Sequence, residues 1–174
     1  MKTLVISAII ASVTATASFA NNGSGTATWG GDSGVVHGSG DCQFKKNQAG
    51  TMSYDDATMT WNTISNAVVV LKVRNTNNVK VESDNKLRTT NNTAVADVVV
   101  NYLPQSTISV KGKNDATTNR NSNSLTAGNL KKNGNGVTKV TFSIGGKATM
   151  TEDETLNITD DTDYKINHTV TCLQ

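Results

Sequence analysis

The sequence predicts an all-β protein: a β-sandwich of about seven to eight short antiparallel strands in one domain. Three observations carry this. Beyond residue 20 no segment of any length repeats apolar residues at helical spacing, while period-two alternation recurs along the chain. The alternating runs are separated by Asn, Gly and Asp clusters that tolerate positive φ. Proline is limited to Pro104 and aromatic residues make up 5%, so the core must come mainly from Val, Ile, Leu and a few rings.

In order along the chain, Thr26–Trp29 alternates at Ala27 and Trp29. The run 50–63 places Met52 and Tyr54, then Met59 and Trp61, at strand spacing around a turn at Asp55-Asp56. Residues 66–75 give the strongest strand, with Val69, Leu71 and Val73 on one face and Val68, Val70 and Lys72 on the other. Val79 and Val81 mark the next strand. The run 93–103 reads as apolar on both faces at Val98 to Val100. Ile108 and Val110 alternate, and the stretch from Gly112 to about Ser124 reads as an exposed loop. Val140, Phe142 and Ile144 alternate in turn. The last run carries Tyr164, Ile166, His168, Val170 and Cys172 on one face. Asn75–Asn78, Asn91-Asn92, Asn133–Gly136 and Gly145-Gly146 supply the turns, and Gly30–Gly40 reads as a flexible or bulged connection.

The first 20 residues have the form of a secretory signal: a basic start at Lys2, an apolar run from Leu4 to Val13, and small residues before a cleavage position after Ala20. That run is too short to span a bilayer. The expected product is exported, with no membrane insertion after cleavage, and divides into an N-terminal extension (21–31) and a single domain (32–174). Its formal charge of +2, which falls by one with the loss of Lys2, argues against an electrostatic nucleic-acid binder. Basic residues gather at Lys111, Lys113, Arg120, Lys131 and Lys132, and acidic ones at 152–163; both read as solvated loops. Cys42 and Cys172 are the only cysteines. In an exported chain they are expected to pair, and a loop of that length stabilises by about 4–5 kcal/mol in the chain-entropy model.

Chemistry-bearing motifs are few. Gly31-Asp32-Ser33-Gly34 matches the tetrapeptide around the nucleophile of trypsin-like proteases, and His37 follows closely. Such catalysis needs a base, a carboxylate and an oxyanion hole around the serine. Here no histidine precedes Ser33, His37 is too near in an extended chain, and His168 falls on an inward face, so no catalytic residue is assigned and the chain is read as a non-enzyme. Two histidines and two paired cysteines make no zinc site, and no cofactor motif is present. Residues 151–163 offer oxygen ligands for calcium without EF-hand spacing, so a solvated acidic loop is the plainer reading. Trp61 and Tyr54 could line a sugar site, but at strand spacing they read as core.

A signal followed by a short Gly/Thr-rich extension, the stretch Thr26–Gly31 (TATWGG), a single cysteine pair and a closing alternating strand led by Asp160–Tyr164 together resemble a subunit of bacterial chaperone–usher fimbriae. The resemblance implies an immunoglobulin-like sandwich completed by strand exchange. Ala27 and Trp29 would be the donor residues. Tyr164, Ile166, His168 and Val170 would form the acceptor edge. The partners would be copies of itself or related subunits, a periplasmic chaperone and an outer-membrane usher, and the destination a surface fimbria supporting adhesion. Two departures stand against it. Cys172 lies at the end of the chain rather than near Cys42, and the donor stretch has little bulk. The competing expectation is a self-contained monomeric sandwich acting as a biofilm-matrix, adhesin or surface-binding protein. An exported enzyme or inhibitor is a third class. The behaviour of residues 22–31 separates the first two: packed into its own domain, the stretch defines a monomeric module; projecting, a polymerising subunit.

Overall fold

The computed structural model describes residues 26–31, 35–37, 41–102, 105–131, 137–155, 158 and 163–174, of which 26–31, 35–37, 152 and 155 are described by backbone alone. The expected signal (1–20), the residues 21–25, Asp32–Gly34 and most of the acidic stretch lie outside them. The strands are β1 (Thr26–Gly31), β2 (Val35–His37), β3 (Asp41–Gln48), β4 (Gly50–Asp55), β5 (Thr60–Ser65), β6 (Ala67–Arg74), β7 (Asn78–Thr89) and β8 (Ala94–Asp97), then β9 (Val99–Asn101), β10 (Thr107–Lys111), β11 (Thr117–Arg120), β12 (Ser124–Gly128), β13 (Thr138–Ile144), β14 (Lys147–Thr149) and β15 (Tyr164–Leu173). One helical turn, α1 (Glu152–Thr155), follows β14.

The fold is all-β and sandwich-like, as the alternation predicts. Four strands form one sheet in the order β10-β13-β6-β3. The other sheet has eleven, ordered β11-β12-β7-β15-β1-β4-β5-β14-β9, with β2 added along β15 and β8 along β7. One hydrophobic cluster fills the space within, with Trp61, Tyr102, Tyr164, Phe142, Met52 and Leu71 its largest fully buried members.

The large sheet curls on itself. The segment from β8 to β9 is one strand broken at Val98: its first half pairs with β7 and its second with β14. The Val98 N–H donates to the Asn85 carbonyl at 3.0 Å, and the Val98 side chain is buried. A strand that switches partners at a kink turns the corner of a sheet.

The strongest predicted strands are found as expected. On β6, Val69, Leu71 and Val73 are buried while Lys72 and Arg74 are exposed. β13 buries Val140, Phe142 and Ile144. β15 buries Tyr164, Ile166, His168, Val170 and Cys172 in strict alternation. Asn75 and Asn92, in two of the predicted turns, have φ of 47° and 69°, a region asparagine tolerates better than most residues.

Several expectations are corrected. There are more and shorter strands than expected, and pairing is not wholly antiparallel, since β1 and β2 both run parallel to β15. The polar stretch 112–124 contains β11, an edge strand exposed along its length. Val99 is 73% exposed rather than apolar-facing, because alternation runs unbroken through Val98 and puts Val99 on the outer face between buried Val98 and Val100. Met59 is not a strand residue. It sits in the turn after β4 at φ 52°, where Asp55 accepts hydrogen bonds from the Ala57 N–H and the Thr58 hydroxyl.

Candidate functional site: the strand that joins two halves of a sheet

The residues expected to be donor and acceptor come together within one chain. β1 lies between β15 and β4. Ala27 is the register partner of Tyr164 and Trp29 that of Ile166, in parallel. On its other side Ala27 faces Met52 and Trp29 faces Gly50, antiparallel. The register slips after Trp29, and β2 then takes up the pairing farther along, Val35 opposite Val170 and His37 opposite Cys172. A single β15 therefore serves as template for two successive N-terminal strands.

In hydrogen-bonded order β1 lies between β11-β12-β7-β15 and β4-β5-β14-β9, which are joined a second time by the β8–β9 segment. Without β1, β15 from Tyr164 to Asn167 and the whole of β4 would be open edges, the condition that invites pairing with another strand. Local sequence explains why a strand fits there. β4 begins at Gly50, where a Cβ would stand 2.2 Å from the Ser65 carbonyl oxygen and 2.5 Å from the Ala67 nitrogen. Glycine lets β4 press against the β5–β6 corner opposite Trp29.

The inner face of this seam is aromatic. Tyr54 and Trp61 have ring centroids 5.1 Å apart, and Trp61 meets Tyr164 edge-on at 5.9 Å. β1 and β4 lie between the strands of Trp61 and Tyr164, so the sheet is concave enough here for rings from distant strands to touch. The indole N–H of Trp61 is buried with no hydrogen-bond acceptor among the described residues, a local cost of about 1–3 kcal/mol. Trp61 and Tyr54 are thus core, which removes the sugar-site alternative for them.

His168 lies where β1 gives way to β2. It is 2% exposed, and its Nδ1 is 2.8 Å from the Tyr102 hydroxyl. Burial pushes its pKa down to about 3, so the ring is neutral at ordinary pH. Burial, and then the Glu82 and Asp84 charges, raise the Tyr102 hydroxyl well above its ordinary value. The two groups share one hydrogen bond, with donor and acceptor set by the imidazole tautomer. This pair anchors β15 from within; it is a packing device rather than an acid–base pair open to a substrate.

Cys42 on β3 is bonded to Cys172 on β15, with Cα atoms 6.4 Å apart. As the two strands belong to different sheets, the disulfide staples the sandwich across its core. It also fits an oxidising, non-cytoplasmic setting. His37, next to the protease-like tetrapeptide, is part of β2 and opposite Cys172 in register. No group of three or more His, Cys, Asp or Glu suited to a metal occurs among the described residues.

The expected donor residues Ala27 and Trp29 lie beside the expected acceptor strand within one chain, and the seam's other wall, β4, is not foreseen from the sequence. Met52 was read as core, and no signal marked Gly50 and β4 as neighbours of β1. Compared with protein-family profiles, characterised proteins and solved structures, the chain matches none.

Proposed function

We propose that the protein is a self-contained structural β-sandwich of the cell surface or extracellular matrix, completed by its own N-terminal strand. One observation carries this: β1 occupies the gap between β15 and β4 of its own chain. A subunit that must receive this strand from a neighbour would present that gap open. The staple between β3 and β15 supports the same reading, since it holds the two sheets together independently of any partner.

A second reading is favoured by a specific observation. β1 is short, rich in Thr and Gly, and links two half-sheets whose other junction is the β8–β9 segment. Such a strand can leave one sheet and enter the same gap in another copy. That contact is head-to-tail, so it propagates rather than closes. On this reading the chain is a fimbrial subunit, and the chaperone and usher implied by the resemblance would be its assembly partners.

The test is a periplasmic preparation of the chain from Asn21, run unheated and non-reduced beside a boiled sample, with light-scattering mass in parallel. A monomer that also stays monomeric on concentration supports the self-contained module. A multimer ladder that collapses on boiling and disappears when residues 21–31 are deleted overturns it in favour of strand exchange. Adding a peptide of residues 21–31 to the deleted chain sharpens the result: the peptide is expected to bind in either case, because the gap exists in both.

A further inference from the structure

The outer face of the four-stranded sheet carries an uncompensated row of cations. Lys111 on β10 stands directly opposite Lys139 on β13, and Lys139 directly opposite Lys72 on β6. The row continues to Gln43 on β3. All four residues are exposed. Arg74, two residues beyond Lys72 on the same face, is also exposed and lies opposite Asp41.

Residues directly opposite in an antiparallel pair have Cβ atoms about 4.5–5.5 Å apart, and like charges in that position repel. Four cations elsewhere sit beside acids: Lys80 with Glu82, Arg88 with Asp84, Lys113 with Asp115, and Lys86 with Asp97. Lys72, Lys139 and Lys111 have no such partner among the described residues. Folding thus brings three positive charges into line across a sheet with no ion pair to any of them among the described residues; the acid on the same face, Asp41, lies opposite Arg74.

The row ends in a concavity. A cleft of about 480 Å³ is bordered by Asp41, Gln43, Lys72, Arg74 and the half-exposed Val137, with Cys42 and Val73 at its base. A flat stripe alone would be a solvated face; a stripe running into a cleft with amide, ammonium and guanidinium groups around it has the form of a binding site.

We propose that this face binds an acidic polysaccharide, a linear sugar polymer with an anionic group on successive residues. One sugar seats in the cleft at Gln43, Lys72 and Arg74, and the chain runs across the strands over Lys139 and Lys111. Neighbouring strands are about 4.7–4.9 Å apart, close to the advance of one sugar along an extended chain, so each strand offers one cation per sugar. Hydroxyls of Ser109 and Thr141, the next cross-strand pair on the same face, suit the neutral hydroxyls of such a polymer. Single-stranded nucleic acid fits less well, because its binding surfaces add aromatic platforms for the bases. Here the described rings are taken up by the core. This site is independent of whether β1 is exchanged.

The experiment measures binding of the chain from Asn21 to polygalacturonate, to neutral dextran and to oligo-deoxythymidylate, at low and at physiological salt. Expected are binding to polygalacturonate that weakens with salt, none to dextran, and weaker binding to the oligonucleotide. Replacing the row (K72Q, K111Q and K139Q together) should lower polygalacturonate affinity tenfold or more. The same number of lysines removed from the other sheet (K80Q, K86Q and K147Q) should change it less than twofold. The row variant should melt no lower than the parent, since it relieves repulsion, which separates lost binding from lost folding. A single K139E reversal at the row's centre should reproduce the loss. Absence of polygalacturonate binding, equal losses in the two triple variants, tighter binding of the oligonucleotide, or self-association that the row variant abolishes would each overturn the proposal.

Discussion

The two sheets are held together by different kinds of sequence. In the four-stranded sheet β6 and β13 pair through seven consecutive positions from Val73–Thr138 to Ala67–Ile144, and the inward row is Val, Leu, Phe and Ile, all buried. A slip of one residue would turn every one of those side chains to solvent, so the register is strongly fixed. In the eleven-stranded sheet the connection between halves is Thr-Ala-Thr-Trp-Gly-Gly, paired at four positions on each side and slipping before it ends. The lesson is that sheet continuity and sheet cohesion are separable. The molecule places a weakly specified strand at one of the two junctions between the halves, the other being the β8–β9 segment.

Deleting residues 21–31 should break the β1 junction with the largest effect. With about 0.5–1.5 kcal/mol for each net hydrogen bond and roughly eight bonds along the two sides, the seam contributes about 4–12 kcal/mol. Urea unfolding of the deleted chain should show a large fall in midpoint, and the slope should fall too if the β4-β5-β14-β9 half has already opened. An unchanged midpoint would mean that the two halves hold without β1, and that the sheet's continuity is incidental.

Replacing both cysteines by serine should cost about 4–5 kcal/mol by the chain-entropy argument for a separation of 130 residues. Here the contrast sharpens. The disulfide joins the sheets while β1 joins halves of one sheet, so losing the staple should lower the midpoint and leave a single transition. Two transitions would show that the sheets are separately stable.

Phe142→Ala probes the well-specified sheet and should cost about 3–5 kcal/mol, again in one transition seen alike by Trp fluorescence and far-UV circular dichroism. Because the core is continuous between sheets, damage there should be felt at Trp61 on the far side. A fluorescence transition that stays at the parent's midpoint would contradict that continuity.

The division between what the sequence made legible and what it hid follows the same line. Alternation on β6, β13 and β15 identified the buried residues because a half-buried strand must repeat every second residue. The cysteine pairing was legible because only one intramolecular pairing exists. Period two, however, says which face a residue takes and nothing of which strand lies beside it. The insertion of Thr26–Gly31 between β15 and β4, the parallel pairing of β2, and β4 as the seam's wall all depend on contacts distant in sequence. Val99 is exposed by the same alternation, which three consecutive valines hide because residue type alone does not say which face they take. β11 was hidden because an edge strand of Thr-Thr-Asn-Arg pairs by backbone alone. The Lys111–Lys139–Lys72 row is split among three segments that only the register brings together; by sequence Lys111 reads as part of a solvated loop and Lys72 as one position on a strand face.

The smallest expected effect lies at His168, where the seam passes from β1 to β2. Burial holds its folded pKa at about 3, against about 6.5 in the unfolded chain. The folded state therefore binds the proton less readily than the unfolded one. Its contribution is fully present above about pH 6.5 and declines as the pH falls toward 3, by about 1.4 kcal/mol for each pH unit within that window. Between pH 7.5 and 5 the loss from this group is about 2 kcal/mol. Urea titrations at both pH values on the parent and on His168→Gln check it, because carboxylates titrate alike in the two chains and cancel in the difference. The variant should start less stable at pH 7.5, having lost the contact with Tyr102, yet lose about 2 kcal/mol less than the parent on acidification. Equal pH dependence would mean that the imidazole can be protonated in the folded chain, and so that the junction of β1 and β2 on β15 opens to water far more readily than the well-specified sheet across the core.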